Sequence, residues 1–525
     1  MVEGRQFLGA CFFGPDWRPR SHGQQDFPQR GGGLARGLRI AAPPGGSELS
    51  EESRGAAPPD LVAGAARDRG PRRRGHSLLG LAPLHRMLCL AGLTACLSNS
   101  SVALFDLSSA LLVLPLVPPG RKFQEDGSPY AGQDANCGNT LLISLEELVK
   151  DGLLLKNELP EPIYMEKVQF ATVAGSVIEL HYYLELKYSL EYLSDQTASL
   201  GWLYDAALFA AIDRSTSFFS WDEWPEHLKN RHLGALEQIH DSHKDFINVF
   251  LAQQFLFQKQ WKKIRSHANK LGVSIMGDMP IYVGHHSADV WANKKSFLLD
   301  RKGFPVLVSG VPPDAFSQTG QLWGSPLYDW CAMEENGYAW WIRRIKRALD
   351  LYDEFRIDHF RGFAGFWSIP SGESLYKAGP SKAFFDAIFG AVGKINIIAE
   401  DLGVITEDVI QLRKAIGAPG MAVLQFVPNG QTNPGCDALQ VQKYLTVTRE
   451  TSISWMLINA AVCSVARTAI IPMQDILSLG SSARMNIPAT QLGNWSWRIP
   501  NEISFDTLEL EARRMRDMLS LYNRL

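Results

Sequence analysis

Two apolar runs in this chain each stop at an acid. Phe355-Arg356-Ile357 leads into Asp358, and Ile395-Asn396-Ile397-Ile398-Ala399 leads into Glu400. Strands that close on carboxylates about one strand–helix unit apart are how a (β/α)8 barrel sets acids on its C-terminal rim. A pair of such acids, one ionised and one protonated, is what retaining chemistry at a glycosidic bond needs.

Asp358 has Arg356 two residues before it, so both should point to the same face of a strand. A guanidinium beside a carboxylate favours the ionised acid, as a nucleophile requires. A structural Arg–Asp pair in a barrel core would have the same spacing. Glu400 has no basic neighbour in sequence and is followed by Asp401. Burial and like charge would let it hold its proton to higher pH, which suits a general acid. The competing reading is that Glu400 is the N-cap acid of the following helix, since Asp, Gly and Thr cluster over 401–406, a role Asp401 could fill instead. Asp278, after the apolar run Val273 to Met276, is a third rim acid, for which a cap or turn role is expected ahead of direct chemistry.

Other segments read as binding loops. Ser128-Pro129-Tyr130-Ala131-Gly132-Gln133 offers one aromatic plate among small residues. GVPPDAFSQTGQLWGSPLYDW, from Gly310 to Trp330 and including Asp314 and Trp323, has neither helical nor strand period. Loops of that length in compact domains are usually functional or disordered, and its aromatics favour a lid. Arg484 to Pro488, with Asn486, and Gly493-Asn494-Trp495 mix amide and aromatic groups near the C-terminus.

The elements that must position these residues alternate. Phe246, Val249, Phe250, Gln253, Phe257, Gln260 and Ile264 fall on one helical face, ending near Leu271-Gly272, where glycine suits the C′ position. An apolar strand and Asp278 follow directly. Leu111 to Leu116 reads as a buried strand stopped by Val117-Pro118-Pro119-Gly120, and Leu508, Ala512, Met515, Leu519 and Tyr522 form the stripe of a terminal helix. This order predicts an α/β chain built from βα units.

At 525 residues, with 46% hydrophobic and 20% charged, the composition is that of a globular protein large enough for a barrel with insertions. A formal net charge of −3 gives no electrostatic reason to expect nucleic acid. Seven cysteines show no C-x-x-C and no metal-ligand spacing, which predicts free thiols and no metal. Met87 to Phe105 approaches the length of a membrane span but is broken by Ser98-Asn99-Ser100-Ser101, so a buried element is expected rather than a membrane partner. Residues 1 to about 75 are rich in Gly, Arg, Pro and Ser. Their arginines suit a transit peptide, whereas Glu3, Asp16, Asp26, Glu48, Glu51 and Glu52 do not.

Taken together, SPYAGQDANCGN, GDMPIYVGHHSADVW, GVPPDAFSQTGQLWGSPLYDW, FRIDHFRGF, IIAEDLG and RMNIPATQLGNWSWRIP closely resemble plant and bacterial 4-alpha-glucanotransferases, the amylomaltase or disproportionating enzymes. The resemblance spans most of 108–525 and implies a (β/α)8 TIM barrel with helical insertions; residues 1–107, outside it, are expected to form a disordered or atypical segment. It implies no metal or organic cofactor, malto-oligosaccharides and starch-type α-glucans as substrates, and a plastid location. Asp358 matches the family's nucleophile and Glu400 its general acid/base. Asp278, Arg356 and His359 match residues lining the donor sugar, while Tyr130, the lid with Asp314 and Trp323, and Asn486 match glucan-contacting positions.

Two barrel positions depart from the family pattern. The residues before Leu111 do not match its first strand. Between Phe426 and Tyr444, where a Thr-His-Asp-Asn segment should bring a third carboxylate at the seventh strand, the chain reads VPNGQTNPGCDALQVQK, with Asp437 as its acid. The sequence therefore leaves open an active glucanotransferase, a catalytically impaired glucan-binding protein and a plain α-glucan hydrolase.

Overall fold

The computed structural model describes residues 10–13, 110–120, 127–158, 201–217, 219–314, 317–369, 375–424, 452–487, 490, 493–497, 499–500, 503 and 507–524. The expectations for the rest of 1–107, for Met87 to Phe105 and for the segment from Phe426 to Tyr444 lie outside these residues. All described residues belong to one compact unit, 1–17 with 79–525. No helix among them is long and apolar enough to cross a membrane.

In chain order the strands are β1 (Ala10–Phe13), β2 (Ala110–Leu112), β3 (Ser274–Pro280), β4 (Val308–Val311), β5 (Gln321–Pro326), β6 (Glu354–Asp358), β7 (Gly365–Ile369), β8 (Leu375–Ala378), β9 (Ile397–Ala399), β10 (Gly420–Val423) and β11 (Thr468–Ile470). The longer helices are α1 (Gly201–Ser215), α2 (Lys244–Lys270), α3 (Ala339–Leu351), α4 (Ser381–Val392), α5 (Glu407–Ile416), α6 (Ile453–Cys463) and α7 (Glu509–Leu521). Strands β2-β3-β6-β9 form a parallel sheet. Ala399 N–H donates to the Pro419 carbonyl, carrying β9 on towards β10. Helices α2, α3, α4 and α5 precede β3, β6, β9 and β10 respectively, as in the wall of a (β/α)8 barrel.

The wall alternates with period two. On β3, Ile275 packs with the outer helices while Met276 joins an inner cluster. On β9, Ile397 and Ala399 face the helices, and Ile398 meets Met276, Met421 and Val423 inside. Outside, Phe257 and Trp261 of α2, Trp341 and Ile345 of α3, and Phe384, Phe385 and Ile388 of α4 make one apolar layer with Ile275, Phe355 and Ile357.

The two positions left without a matching strand behave differently. Between β10 and β11 lies β1, antiparallel to both, with Ala10 opposite Val423 and Ile470. Residues 10–13 thus stand where the seventh parallel strand was expected. On the other side, no described strand pairs with the outer edges of β2 and β11.

Several expectations need correction. The segment Gly310 to Trp330 is not irregular: β4 and β5 form an antiparallel hairpin, extended by β7 and β8 into a second four-stranded sheet. A register shift between Val308 and Gly310 and largely exposed β5 residues erase the alternation that would have marked it. β2 starts at Ala110 and ends at Leu112, although Val113 N–H still donates to the Met276 carbonyl. β3 runs through Pro280, so Asp278 lies within a strand rather than in a cap or turn. On α2 the buried face includes Phe257, Gln260 and Ile264 as expected, but Gln254 replaces Gln253. The amides of Gln254 and Gln260 each accept from and donate to one backbone unit, Gly138 and Ser144 respectively, in the manner of an added strand residue. Gly272 does adopt positive φ after α2, and Met515, Leu519 and Tyr522 of the last helix pack on Trp455, Ile458 and Val462.

Candidate active site

The inward residues of β3 and β6 set the base of the site. Register places Asp278 opposite Arg356. Arg356 donates through Nε to Asp278 Oδ1 at 2.9 Å and through Nη2 to Oδ2 at 2.6 Å, a two-pronged pair with both groups at least 95% buried. The same Nη2 reaches Asp358 Oδ1 at 3.0 Å, one strand step higher and at the pocket surface, where the Asp358 side chain is 34% exposed. Tyr130 donates its hydroxyl to Asp278 Oδ2 at 2.8 Å, and its ring lies 5.5 Å from that of Trp495.

Glu400 stands one residue past β9, level with the end of β6. Its backbone N–H donates to the Ile357 carbonyl at 3.1 Å. Its Oε2 accepts from His359 N–H and its Oε1 from Leu402 N–H, both at 2.8 Å. Burial, and then the facing Asp358 charge, push the Glu400 carboxyl up to about 8. Asp358 is pushed up only to about 6: burial raises it, Arg356 opposes, and Asp278 adds to the rise. The pair is therefore split, with the proton preferring Glu400 and the charge preferring Asp358.

This split corrects the simpler expectation in two respects. Arg356 lowers Asp358 as anticipated, but it is already committed to Asp278, so burial prevails. Asp358 rather than Asp401 is the like charge acting on Glu400. Asp401 turns aside to accept from Met421 N–H at 2.8 Å and to pair with Arg413 at 3.0 Å. It does not cap α5, whose N-cap residue is Thr406.

His359 adopts the left-handed conformation, with φ 56°. A non-glycine residue there stores strain and persists only where neighbours hold it, as the Glu400 hydrogen bond does here. Burial lowers its imidazole to about 3, so the ring is neutral, and its buried Nε2 has no hydrogen-bond partner. Such a group is satisfied when a polar ligand arrives. The Trp323 ring, 39% exposed on β5, stands edge-on to His359 at 4.8 Å.

The remaining expected residues approach through loops. Asp314 accepts from Ser317 N–H at 3.0 Å and lies against Gly403. A Cβ at Gly403 would come within 3.0 Å of Asp314 Oδ2, and φ there is +78°, so the loop after Glu400 requires glycine. Asn486 is half-buried beside Ile487 and Met485, whose backbones bond to Asn494 Oδ1 at 2.8 Å and Trp495 N–H at 2.6 Å. The Trp495 ring in turn lies 5.5 Å from that of Tyr130, which places this segment beside the Tyr130 loop.

Sequence reasoning missed two contributors. Tyr282, on the loop after β3, packs 6.2 Å from His359 and 6.3 Å from Trp323. Asp289 is fully buried behind the Tyr130 loop and accepts from Ala135 N–H at 2.6 Å. An aromatic and an acid within YVGHHSADVW, next to a rim acid, were the available signals. Among the described residues no group of His, Cys, Asp or Glu could hold a metal ion.

A protein-family model described as 4-alpha-glucanotransferase matches residues 106–444 and 436–504. The chain is 61% identical over 458 residues to the rice (Oryza sativa subsp. japonica) protein named 4-alpha-glucanotransferase DPE1, chloroplastic/amyloplastic, covering 79% of this chain and 77% of that one. It is 60% identical over 458 residues to the Solanum tuberosum protein named 4-alpha-glucanotransferase, chloroplastic/amyloplastic, covering 79% and 80%. Amylomaltase from Streptococcus agalactiae, solved in complex with acarbose, superposes with a TM-score of 0.72 at 28% identity, over 81% of this chain and 94% of that one.

Proposed function

The chain belongs to the 4-alpha-glucanotransferase family of (β/α)8 barrels, and we propose that Asp358 and Glu400 perform its transfer by double displacement. Glu400 protonates the bridging oxygen of an α-1,4 bond while Asp358 attacks the anomeric carbon. The released glucan leaves and a glucosyl-enzyme ester remains on Asp358. Glu400, now a carboxylate, takes the proton of an acceptor 4-hydroxyl, which attacks the same carbon and regenerates both acids. Retention by this route sets the two carboxyls roughly 5–5.5 Å apart.

One observation carries the assignment: adjacent strand ends hold the two carboxyls side by side, and their surroundings give them opposite protonation preferences. Arg356 and Asp278 fix Asp358 from below. Neutral His359, Tyr130, Trp323, Asp314 and Asn486 supply polar and aromatic contacts for the sugars. Transfer prevails over hydrolysis when acceptor sites position the incoming hydroxyl and the β4–β5 hairpin excludes water.

The substrates are malto-oligosaccharides and starch-type α-glucans, and the location is the plastid. Both readings rest on the names of the plant relatives and the acarbose complex of the bacterial one. The impaired alternative finds no support among these relatives. Mass spectrometry tests the nucleophile: a slowly turned over α-glucosyl fluoride, supplied without acceptor, should leave a glucosyl adduct on the peptide bearing Asp358. An adduct on any other residue overturns the assignment.

A further inference from the structure

A cleft of about 430 Å³ lies apart from the two acids, lined by Lys229, Lys294, Lys295, Arg301, Lys302 and the carboxylates of Asp300 and Asp329 among others. The charge count is five cations to two anions, so the lining stays net positive with both acids ionised. Asp300 Oδ1 accepts from the backbone N–H groups of Lys302 and Phe304 at 2.8 and 2.9 Å. Asp329 Oδ1 accepts from Ala332 N–H at 3.0 Å, capping the short helix Trp330–Glu335. Both acids thus shape the walls.

Of the five cations, Lys229 and Lys294 are held by groups of the walls. Lys294 donates to the Lys229 carbonyl at 2.7 Å and to Asn230 Oδ1 at 2.8 Å, both neutral oxygens. Burial and the repulsion of Lys229 hold its ammonium below the usual range, with Glu226 only partly offsetting them. Lys229 pairs with Glu226 at 3.4 Å. Lys295, Arg301 and Lys302 make no ion pair among the described residues. Ammonium and guanidinium groups that line one cleft recognise a compact, multiply charged oxyanion. Phe304, 48% exposed beside Gly303, adds an aromatic face next to the charges.

We propose that this cleft binds a phosphate monoester carried on an α-glucan chain, with Lys294, Lys295, Arg301 and Lys302 on the phosphate and Phe304 beside a sugar ring. The glucan-borne source rests on the function proposed above; the phosphate site itself does not. The cleft would retain phosphorylated chains without taking part in transfer.

Titration calorimetry on the full chain tests it with four probes: inorganic phosphate, glucose 6-phosphate, a neutral maltodextrin, and a phosphorylated maltodextrin of equal length. The phosphorylated dextrin should bind about tenfold or more tightly than the neutral one, and salt should weaken that advantage. Combining Lys295→Glu, Arg301→Glu and Lys302→Glu should erase the advantage while disproportionation of neutral maltotriose stays at the wild-type rate. Lys302→Glu alone, on an exposed turn, should cause a smaller loss in the same direction and serves if the combined variant is unstable. Binding of the two small phosphates with no gain for the phosphorylated dextrin supports the anion site but overturns the glucan-borne source. If no phosphate probe binds, or if the charge reversals leave binding unchanged, the proposal fails. Absence of maltotriose disproportionation in the wild type would count against the transfer reading and leave the phosphate result intact.

Discussion

His359 N–H donates to Glu400 Oε2 at 2.8 Å, so the residue after one acid holds the carboxylate of the other. The bond links the two strand ends at the point where His359 takes its left-handed backbone. It favours the ionised carboxylate, yet burial and Asp358 outweigh it, and Glu400 remains a proton carrier at neutral pH.

The first prediction concerns pH. Attack needs Asp358 ionised, so activity should fall below about 6, where its raised pKa returns the proton. Leaving-group departure needs Glu400 protonated, so activity should fall above about 8. The pH profile of kcat/KM should therefore be a bell with limbs near those values. A profile still rising well above pH 8 would contradict the role of Glu400.

Glu400→Gln should keep the side chain's size but lose the transferable proton and one of the two backbone hydrogen bonds, because an amide nitrogen cannot accept. Transfer should fall by about 10²–10⁴-fold, with glucan affinity close to wild type. Asp358→Asn should abolish turnover because an amide cannot form the ester. Steady-state kinetics alongside calorimetric binding separates these effects from misfolding.

The Arg356–Asp278 pair is predicted to be structural as well as electrostatic. Both groups are buried, so Arg356→Ala or Asp278→Ala strands a charge and should cost about 3–5 kcal/mol in denaturant unfolding. Arg356→Lys keeps the charge but not the two-pronged geometry and should still lose stability. A double variant lacking both groups should be less destabilised than the sum of the singles.

Trp323 offers a contrast, since its ring is partly exposed and contributes little to the core. Trp323→Ala should leave the unfolding midpoint nearly unchanged while weakening glucan binding by about 0.5–1.5 kcal/mol, seen as a raised KM. A collapse in stability would show that Trp323 supports the hairpin rather than the sugar.

What the sequence disclosed follows from how locally each feature is determined. The βα wall and its acids were readable because apolar strands, a glycine cap and a terminal carboxylate all lie within a few residues of one another, as from Leu271 to Asp278 and from Ile395 to Glu400. The β4–β5–β7–β8 sheet was not readable: its short strands alternate weakly, and its partners lie up to about 60 residues away along the chain. The same limit hid Asp358 as the charge acting on Glu400, since sequence adjacency pointed to Asp401. Pairing of residues 10–13 with β10 and β11 spans some 400 residues and carries no local mark at all.

Incubation with maltotriose separates transfer from cleavage in one experiment. Purified full-length protein incubated with maltotriose should release glucose and build maltopentaose and longer chains while total reducing ends stay constant, and Asp358→Asn should stop both products. Reducing ends that rise without longer oligomers, or a soluble folded protein that releases no glucose, would rule out glucan transfer by Asp358 and Glu400.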